Sequence, residues 1–293
     1  MSSSPPAVLC FAASDPTGGA GLQADLLTLA SLGCHPLSVV TAVTAQDTRG
    51  VEGLLALEPA WIARQARVVL ADIAVAAFKI GVLGSARNAE AVAELLGAHP
   101  GVPVVLDPVL ASGRGDVLAD ADTLQALRKR LLPRTTVATP NGPEARRLAL
   151  ASPDAPLADC ARAIADLGCK YVLVTGAHEP GAQVTNTLYG AGGKLREDAW
   201  PRLPREYHGS GCTLASAIAA MLANGLDLPE AVREAQDFTW HALEKAYRPG
   251  MGQHLPDRLF WARDAREGED GAAATVAKEP PEGEPRRDAR GTH

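Results

Sequence analysis

Residues 208–213 read His-Gly-Ser-Gly-Cys-Thr and run straight into a small and apolar stretch that continues to Met221. Gly209 and Gly211 let the backbone turn tightly and come close to a ligand, and the residues behind them suit a packed helix. Free N–H groups at such a helix start, together with the helix dipole, make a site for phosphate and for the charge that develops when a phosphoryl group is transferred. Cys212 stands at that positive end. A thiol there loses its proton more easily than free cysteine, whose pKa is about 8.5, and so has the character of a base or reactive group. The plainer reading is a glycine-flanked, buried structural cysteine.

Four other places put useful side chains beside turns. The loop Ser14-Asp-Pro-Thr-Gly-Gly-Ala-Gly21 follows an apolar run and precedes a helical pattern through Leu22, Leu26, Leu29 and Leu32. It matches neither the dinucleotide fingerprint nor the Walker loop, yet a strand–glycine loop–helix junction is where open parallel sheets bind ligands. Asp107 ends the apolar run that starts at Pro103, and a carboxylate at a strand's carboxyl end can hold magnesium near phosphates. Gln46 opens a polar loop and can both donate and accept, which suits a ring with an amino group beside a ring nitrogen. Asn141 and Glu144 lie in Pro-Asn-Gly-Pro-Glu, which equally well reads as a plain helix start.

The elements that must position these residues alternate. Strands are expected over 7–13, 37–44, 76–80, 135–139, 171–175, 182–189 and 194–200, and helices over 61–72, 116–132, 157–168, 212–221 and 228–247. The repeated order of strand, turn and helix indicates an α/β fold, a largely parallel central sheet with helices on both faces. The 293 residues suffice for one large domain or two small ones, and 46% of them are apolar. With 34 acidic against 28 basic residues the formal charge is −6, which gives no general attraction to nucleic acid or an anionic membrane. No apolar run approaches the roughly twenty residues of a membrane span and the start lacks a secretion signal, so a cytoplasmic protein is expected. The five cysteines are odd in number and contain no Cys-x-x-Cys pair, so they read as free thiols. Residues 267–293 mix prolines, glycines and charges with no apolar side chain larger than valine, and read as a disordered tail.

Taken in order, Asp15-Pro-Thr-Gly-Gly-Ala-Gly-Leu-Gln-Ala-Asp25, Ala45-Gln46-Asp-Thr-Arg-Gly50, Lys79-Ile-Gly81, Leu106-Asp107-Pro-Val109, Thr139-Pro-Asn141-x-x-Glu144 and Gly209-Ser-Gly-Cys212 resemble the hydroxymethylpyrimidine/phosphomethylpyrimidine kinases of thiamine biosynthesis. These belong to the ribokinase-like superfamily, and the resemblance spans roughly residues 8–261. It implies a ribokinase-like kinase domain over 1–266, with ATP and Mg2+ as cofactors, that phosphorylates an aminopyrimidine alcohol and then its monophosphate. Carried over by position, Cys212 with Gly209 and Gly211 would form the catalytic turn, and Asp25, Gln46, Val82 and Val109 would contact the pyrimidine. Asn141 and Thr175 would meet the nucleotide phosphates, and Asp107 and Glu144 would arrange the metal. Val82 stands where the family often has methionine, Ala13 where glycine is common, and Thr175 where many relatives carry a lysine. The partners implied are small molecules, with a homodimer the usual assembly. Two alternatives stay open: a pyridoxal kinase on the same fold, and a binder that keeps the pocket without turnover.

Overall fold

Apolar runs bounded by glycine and proline turns fold as strands, and runs with apolar residues three and four apart fold as helices. The computed structural model describes residues 4–112 and 115–263. Its first half comprises β1 (Ala7–Ser14), α1 (Gly21–Ser31), β2 (His35–Gln46), β3 (Val51–Ala56), α2 (Pro59–Asp72), β4 (Ala77–Ile80), α3 (Ala86–Gly97) and β5 (Val104–Leu106). Then come α4 (Ala121–Ala126), which widens through Leu127–Leu131 and tightens through Leu132–Arg134, β6 (Val137–Ala138), α5 (Gly142–Ala149), α6 (Leu157–Asp166) and β7 (Tyr171–Val174). The antiparallel pair β8 (Gln183–Gly190) and β9 (Gly193–Pro201) precedes α7 (Ser210–Ala223) and α8 (Leu228–Glu244).

The strands form one sheet in the order β3-β2-β1-β4-β5-β6-β7-β8-β9. From β2 across to β7 all neighbours are parallel, while β3, β8 and β9 run antiparallel. A parallel sheet is covered on both faces, and its central strands read as unbroken apolar runs for that reason. In β1 and β4 this holds almost throughout, with Phe11 opposite Val39 on one side and Ile80 on the other. Phe11 and Phe78 pack with ring centroids 6.3 Å apart in the core beneath the sheet's centre. From β1 the chain lays β2 to one side and later β4 to the other. That reversal opens a crevice at the strands' carboxyl ends, where Ser14–Asp15, Gly81 and Asp107 emerge.

Two expectations needed correction. Residues 116–119 are not helical. Asp120 caps α4 instead, its side chain accepting from Thr123 N–H at 2.8 Å, while Ala111 and Val117 bridge across the loop before it. The segment after Gln46 is a hairpin rather than an open loop: the Asp47 carboxylate accepts from the N–H groups of Arg49 and Gly50, and β3 returns along β2. Up to Arg258 the chain forms one unit; Leu259 starts a second, and the expected tail over 267–293 lies outside the described residues. No helix among the described residues is long and apolar enough to cross a membrane.

Helix α7 carries the glycine turn and is buried from Thr213 to Ala220. Its Ala215, Ser216, Ala217, Ala219 and Ala220 let it lie close against α1, α8, β4 and β5. Because space there is filled by backbone as much as by side chains, Ala217→Leu should cost about 1–3 kcal/mol through overpacking. A urea-unfolding midpoint unchanged from wild type would mean that α7 has room to spare.

Candidate active site

Gly209 caps α7 in the left-handed region, with φ 84°. A Cβ there would collide with the carbonyl of Gly19, so the two glycine turns touch backbone to backbone and only glycine fits. The first intrahelical bond runs from Thr213 N–H to Gly209 O at 3.0 Å, which leaves the N–H groups of Ser210, Gly211 and Cys212 at the helix start. Gly211 differs from Gly209: it lies inside the first helical turn, and a Cβ on it would sit 3.8 Å from Asp107 Oδ1, an ordinary contact. Arg258 clamps both turns, donating to the carbonyls of Gly18 and Gly19 and to Thr213 Oγ1. Gly252 and Gln253 donate through their N–H groups to Thr48 Oγ1 and Thr48 O, both at 2.9 Å. His208 N–H donates to His254 O at 2.9 Å. The segment 252–254 thereby straps the tip of the β2–β3 hairpin to the turn that starts α7.

Asp15 organises the first turn. Its carboxylate accepts from Thr17 N–H at 2.8 Å, Thr17 Oγ1 at 2.9 Å, Ala20 N–H at 2.7 Å and His208 Nε2 at 2.9 Å. Burial works to raise its pKa, but the bonds from His208, Thr17 and Ala20 outweigh it and hold the group at about 2.

Behind the turn lies a buried cluster of charge. Lys79 Nζ is 2.8 Å from Asp25 Oδ1 and 3.9 Å from Asp107 Oδ2, with the lysine and Asp25 side chains 0% exposed. Burial alone would lower the ammonium's pKa; Asp25, Cys212 and Asp107 reverse that and hold it above its ordinary value. Asp25, expected as a pyrimidine contact, has no exposed surface. Its Oδ1 also accepts from Ser216 Oγ at 2.8 Å, so it serves the site through Lys79 rather than by touching a ligand. Cys212 corrects a second expectation: burial pushes its thiol up to about 12, with Lys79 pulling the other way and Asp107 and Asp25 adding to the rise. A helix start favours a thiolate, but here desolvation and two carboxylates outweigh it.

Asp107 is raised by burial, relieved by Lys79, and bonded to the Cys212 side chain. Its buried Oδ2 has no hydrogen-bond partner among the described residues. Glu144 reaches about 8, first through burial and then through the neighbouring Asp107 charge. Its oxygens accept from Asn141 N–H at 3.0 Å and Leu110 N–H at 3.3 Å, while Asn141 caps α5 by accepting from Glu144 N–H at 2.9 Å. The helix-start reading of these two residues therefore holds, and they also bring a second carboxylate beside Asp107. Among the described residues no three His, Cys, Asp or Glu groups converge as a metal cage. Magnesium is commonly bound by one or two carboxylates together with substrate phosphates, and the unpartnered Oδ2 of Asp107 fits that arrangement.

The remaining expected residues line the same end of the sheet. Val82 and Val109 follow β4 and β5 and are partly exposed. Gln46 ends β2, 3.3 Å from His208 across their side-chain nitrogens. Thr175 follows β7, bridges Asn141, and donates its N–H to Pro140 O at 3.0 Å. Beside it a pocket of about 220 Å³ opens between Val174, Gly176, Thr185 and Thr187.

The model of the phosphomethylpyrimidine kinase family matches residues 15–257. The chain belongs to that family. Its relatives include the hydroxymethylpyrimidine/phosphomethylpyrimidine kinase of Streptomyces coelicolor, 44% identical over 254 residues that cover 85% of this chain and 92% of the relative. Among solved structures, the phosphomethylpyrimidine kinase of Clostridium difficile has a TM-score of 0.71 and 33% identity, covering 81% of this chain and 99% of that one. The pyridoxal kinase of Staphylococcus aureus in complex with pyridoxal has a TM-score of 0.81 and 28% identity, covering 89% and 96%. Family membership brings the ribokinase-like fold and the kinase class with it.

Sequence reasoning passed over four residues that hold this family site together. Lys79 carried a signal, a lone lysine within the apolar run Ala77–Ile80; His208 and Asp15 were visible only as parts of motifs, and Arg258 had no local signal. Asp15 gives a direct check. Its pKa falls from 3.8 to about 2 on folding, so its contribution is present above pH 3.8 and lost as pH falls toward 2, a drop worth about 2 kcal/mol. Asp15→Asn should therefore lower stability to urea by about that amount at pH 7, with the gap to wild type narrowing below pH 4; a gap independent of pH would remove the charge from the account.

Proposed function

We propose that this chain uses ATP to phosphorylate the hydroxymethyl group of 4-amino-5-hydroxymethyl-2-methylpyrimidine, and then its monophosphate to the diphosphate, in thiamine biosynthesis. The observation that carries the reading is the convergence on one thiol, Cys212, of a glycine-turn helix start, the buried Lys79 cation and the buried Asp107 carboxylate.

Each part has a task in phosphoryl transfer. The N–H groups of Ser210, Gly211 and Cys212 face the charge that spreads over the transferring group. Gln46 matches the ring's amino group and neighbouring nitrogen, with Val82 and Val109 as apolar wall. Cys212 places the hydroxymethyl oxygen through its S–H; a loose transition state asks for placement and charge neutralisation more than for a strong base, so the hydroxyl proton leaves on an oxygen of the transferred phosphoryl group and a thiol held protonated by burial is accommodated. Asp107 would hold magnesium through Oδ2, with Glu144, whose pKa burial and Asp107 raise to about 8, beside it to join the metal once deprotonated, and Asn141 and Thr175 would line the phosphates. Magnesium, when bound with ATP, neutralises the phosphate oxygens. We further assign the catalytic domain to 1–266 and a dispensable tail to 267–293, in a cytoplasmic homodimer. The exposed Val43 and Leu55 on the β2–β3 hairpin supply apolar surface for such a contact.

The likeness to a pyridoxal kinase favours a second reading on the same site, phosphorylation of pyridoxal. An ADP-release assay with the aminopyrimidine alcohol, its monophosphate and pyridoxal as separate substrates decides among these readings, and binding without ADP release would mark a non-catalytic binder. In that assay Cys212→Ala should lose on the order of 10²- to 10⁴-fold in turnover with pyrimidine affinity little altered; wild-type turnover would leave the cysteine only a packing role. Gln46→Leu should cost the aminopyrimidine at least about tenfold more in kcat/KM than pyridoxal, because it strands two matched polar groups on the former. Equal losses on both would leave Gln46 as a shaper of the hairpin, and a selective loss on pyridoxal would favour the vitamin B6 reading.

A further inference from the structure

Gln46 has a neighbour that the proposed chemistry does not use. Its side-chain nitrogen lies 3.3 Å from His208 Nε2, and the same Nε2 lies 2.9 Å from Asp15 Oδ2. The Asp15 carboxylate is 3% exposed and already accepts from Thr17 and Ala20. A carboxylate offers only acceptors, so the nitrogen facing it carries the hydrogen, in the neutral imidazole and in the imidazolium alike. His208 Nε2 is then a donor and cannot accept from the amide N–H of Gln46. A half-turn about the last side-chain bond exchanges the oxygen and nitrogen of a carboxamide without moving the chain, and brings Oε1 rather than Nε2 to the histidine.

This has a consequence for the ligand-facing edge of Gln46. With Oε1 on the His208 side, the amide presents its acceptor there and its NH₂ on the far side. An aminopyrimidine, seated by its hydroxymethyl group, meets that order with its amino donor and its ring-nitrogen acceptor. Its oxo counterpart, with a carbonyl in place of the amino group and a hydrogen on the ring nitrogen, presents the reverse order. To receive it Gln46 would have to turn its NH₂ toward the N–H of His208, donor against donor. We propose that His208, held by Asp15, is a positioning residue that sets the orientation of the Gln46 carboxamide and so makes the site select aminopyrimidines over oxopyrimidines. The inference rests on the reading of Gln46 as the pyrimidine contact.

Two measurements test it. In the wild-type protein labelled with ¹⁵N, long-range proton–nitrogen correlation, with His208→Phe used to assign the ring, should find a hydrogen on Nε2 of His208. A hydrogen on Nδ1 alone would overturn the inference while leaving the substrate reading intact. The second compares kcat/KM for the aminopyrimidine alcohol and its oxo analogue. Wild type should prefer the amino compound by about 10²-fold or more, the discrimination typical of matched buried hydrogen bonds. In His208→Phe the preference should shrink to within about tenfold, chiefly by a gain on the oxo analogue, which a merely structural role would not produce. An unchanged preference would overturn the proposal. If Gln46→Leu retains the wild-type preference as well, the substrate reading falls with it. Should His208→Phe fail to fold, the ring of His208 is assigned by backbone-to-side-chain correlation in ¹³C,¹⁵N-labelled wild-type protein, and the nitrogen correlation still decides.

Discussion

A positive charge with no water around it is the constraint on which the rest of this structure depends. Lys79 is wholly buried, and an ammonium in that position is tolerable only beside negative charge. Asp25 comes from α1, Lys79 from β4, Asp107 from the end of β5, and the thiol beside them from α7. The ion cluster therefore ties together the sheet, the helix on its first loop and the helix that starts at the catalytic turn. Removing one partner of such a set leaves a buried charge uncompensated, at a cost on the order of 3–5 kcal/mol. The same cation offsets the repulsion between Asp25 and Asp107, which face it from two sides.

The two glycine turns add rigidity of a different kind. Gly209 against Gly19 is a backbone-to-backbone contact, and Arg258 holds the Gly19 carbonyl on one side of it and the Thr213 hydroxyl on the other. N–H groups fixed in this way do not need to reorganise when charge develops in front of them, which is the main source of their catalytic value. Asp15 and His208 extend the rigid region to the end of β2, so the β2–β3 hairpin and the α7 turn share one frame.

Much of this was legible in the residues before any coordinates. The central parallel strands announced themselves because burial on both faces leaves unbroken apolar runs, and the motif residues fall at strand ends because that is where a doubly wound sheet exposes backbone. β3 was missed for the opposite reason: as an antiparallel edge strand it is only half-buried, so its Glu52 and Gly53 weaken the pattern. The helix expected from residue 116 begins later because Asp120, not Asp116, supplies the cap, and both are acceptable cap residues by type. The state of Cys212 could not be read locally at all. Its position at a helix start is visible in sequence, but the carboxylates that raise its pKa lie far along the chain in Asp107 and Asp25. Burial likewise moved Asp25 from the ligand surface to the layer behind it, and no pattern in residues 15–25 carries that information.

The strap of residues 252–254 and the Arg258 clamp bear on when the site can exist. Arg258 meets Gly19 across 239 positions, and Gln253 meets Thr48 from a similar distance along the chain. A growing chain emerges from its amino end at a few residues per second or faster, so the first glycine loop is made long before the residues that fix it. Through most of synthesis only the first turn has been made, braced by Asp15, and the second follows shortly before the Arg258 that joins them. The two turns can therefore be locked against each other only after residues up to 258 have been made, which places this junction among the late contacts of folding during synthesis.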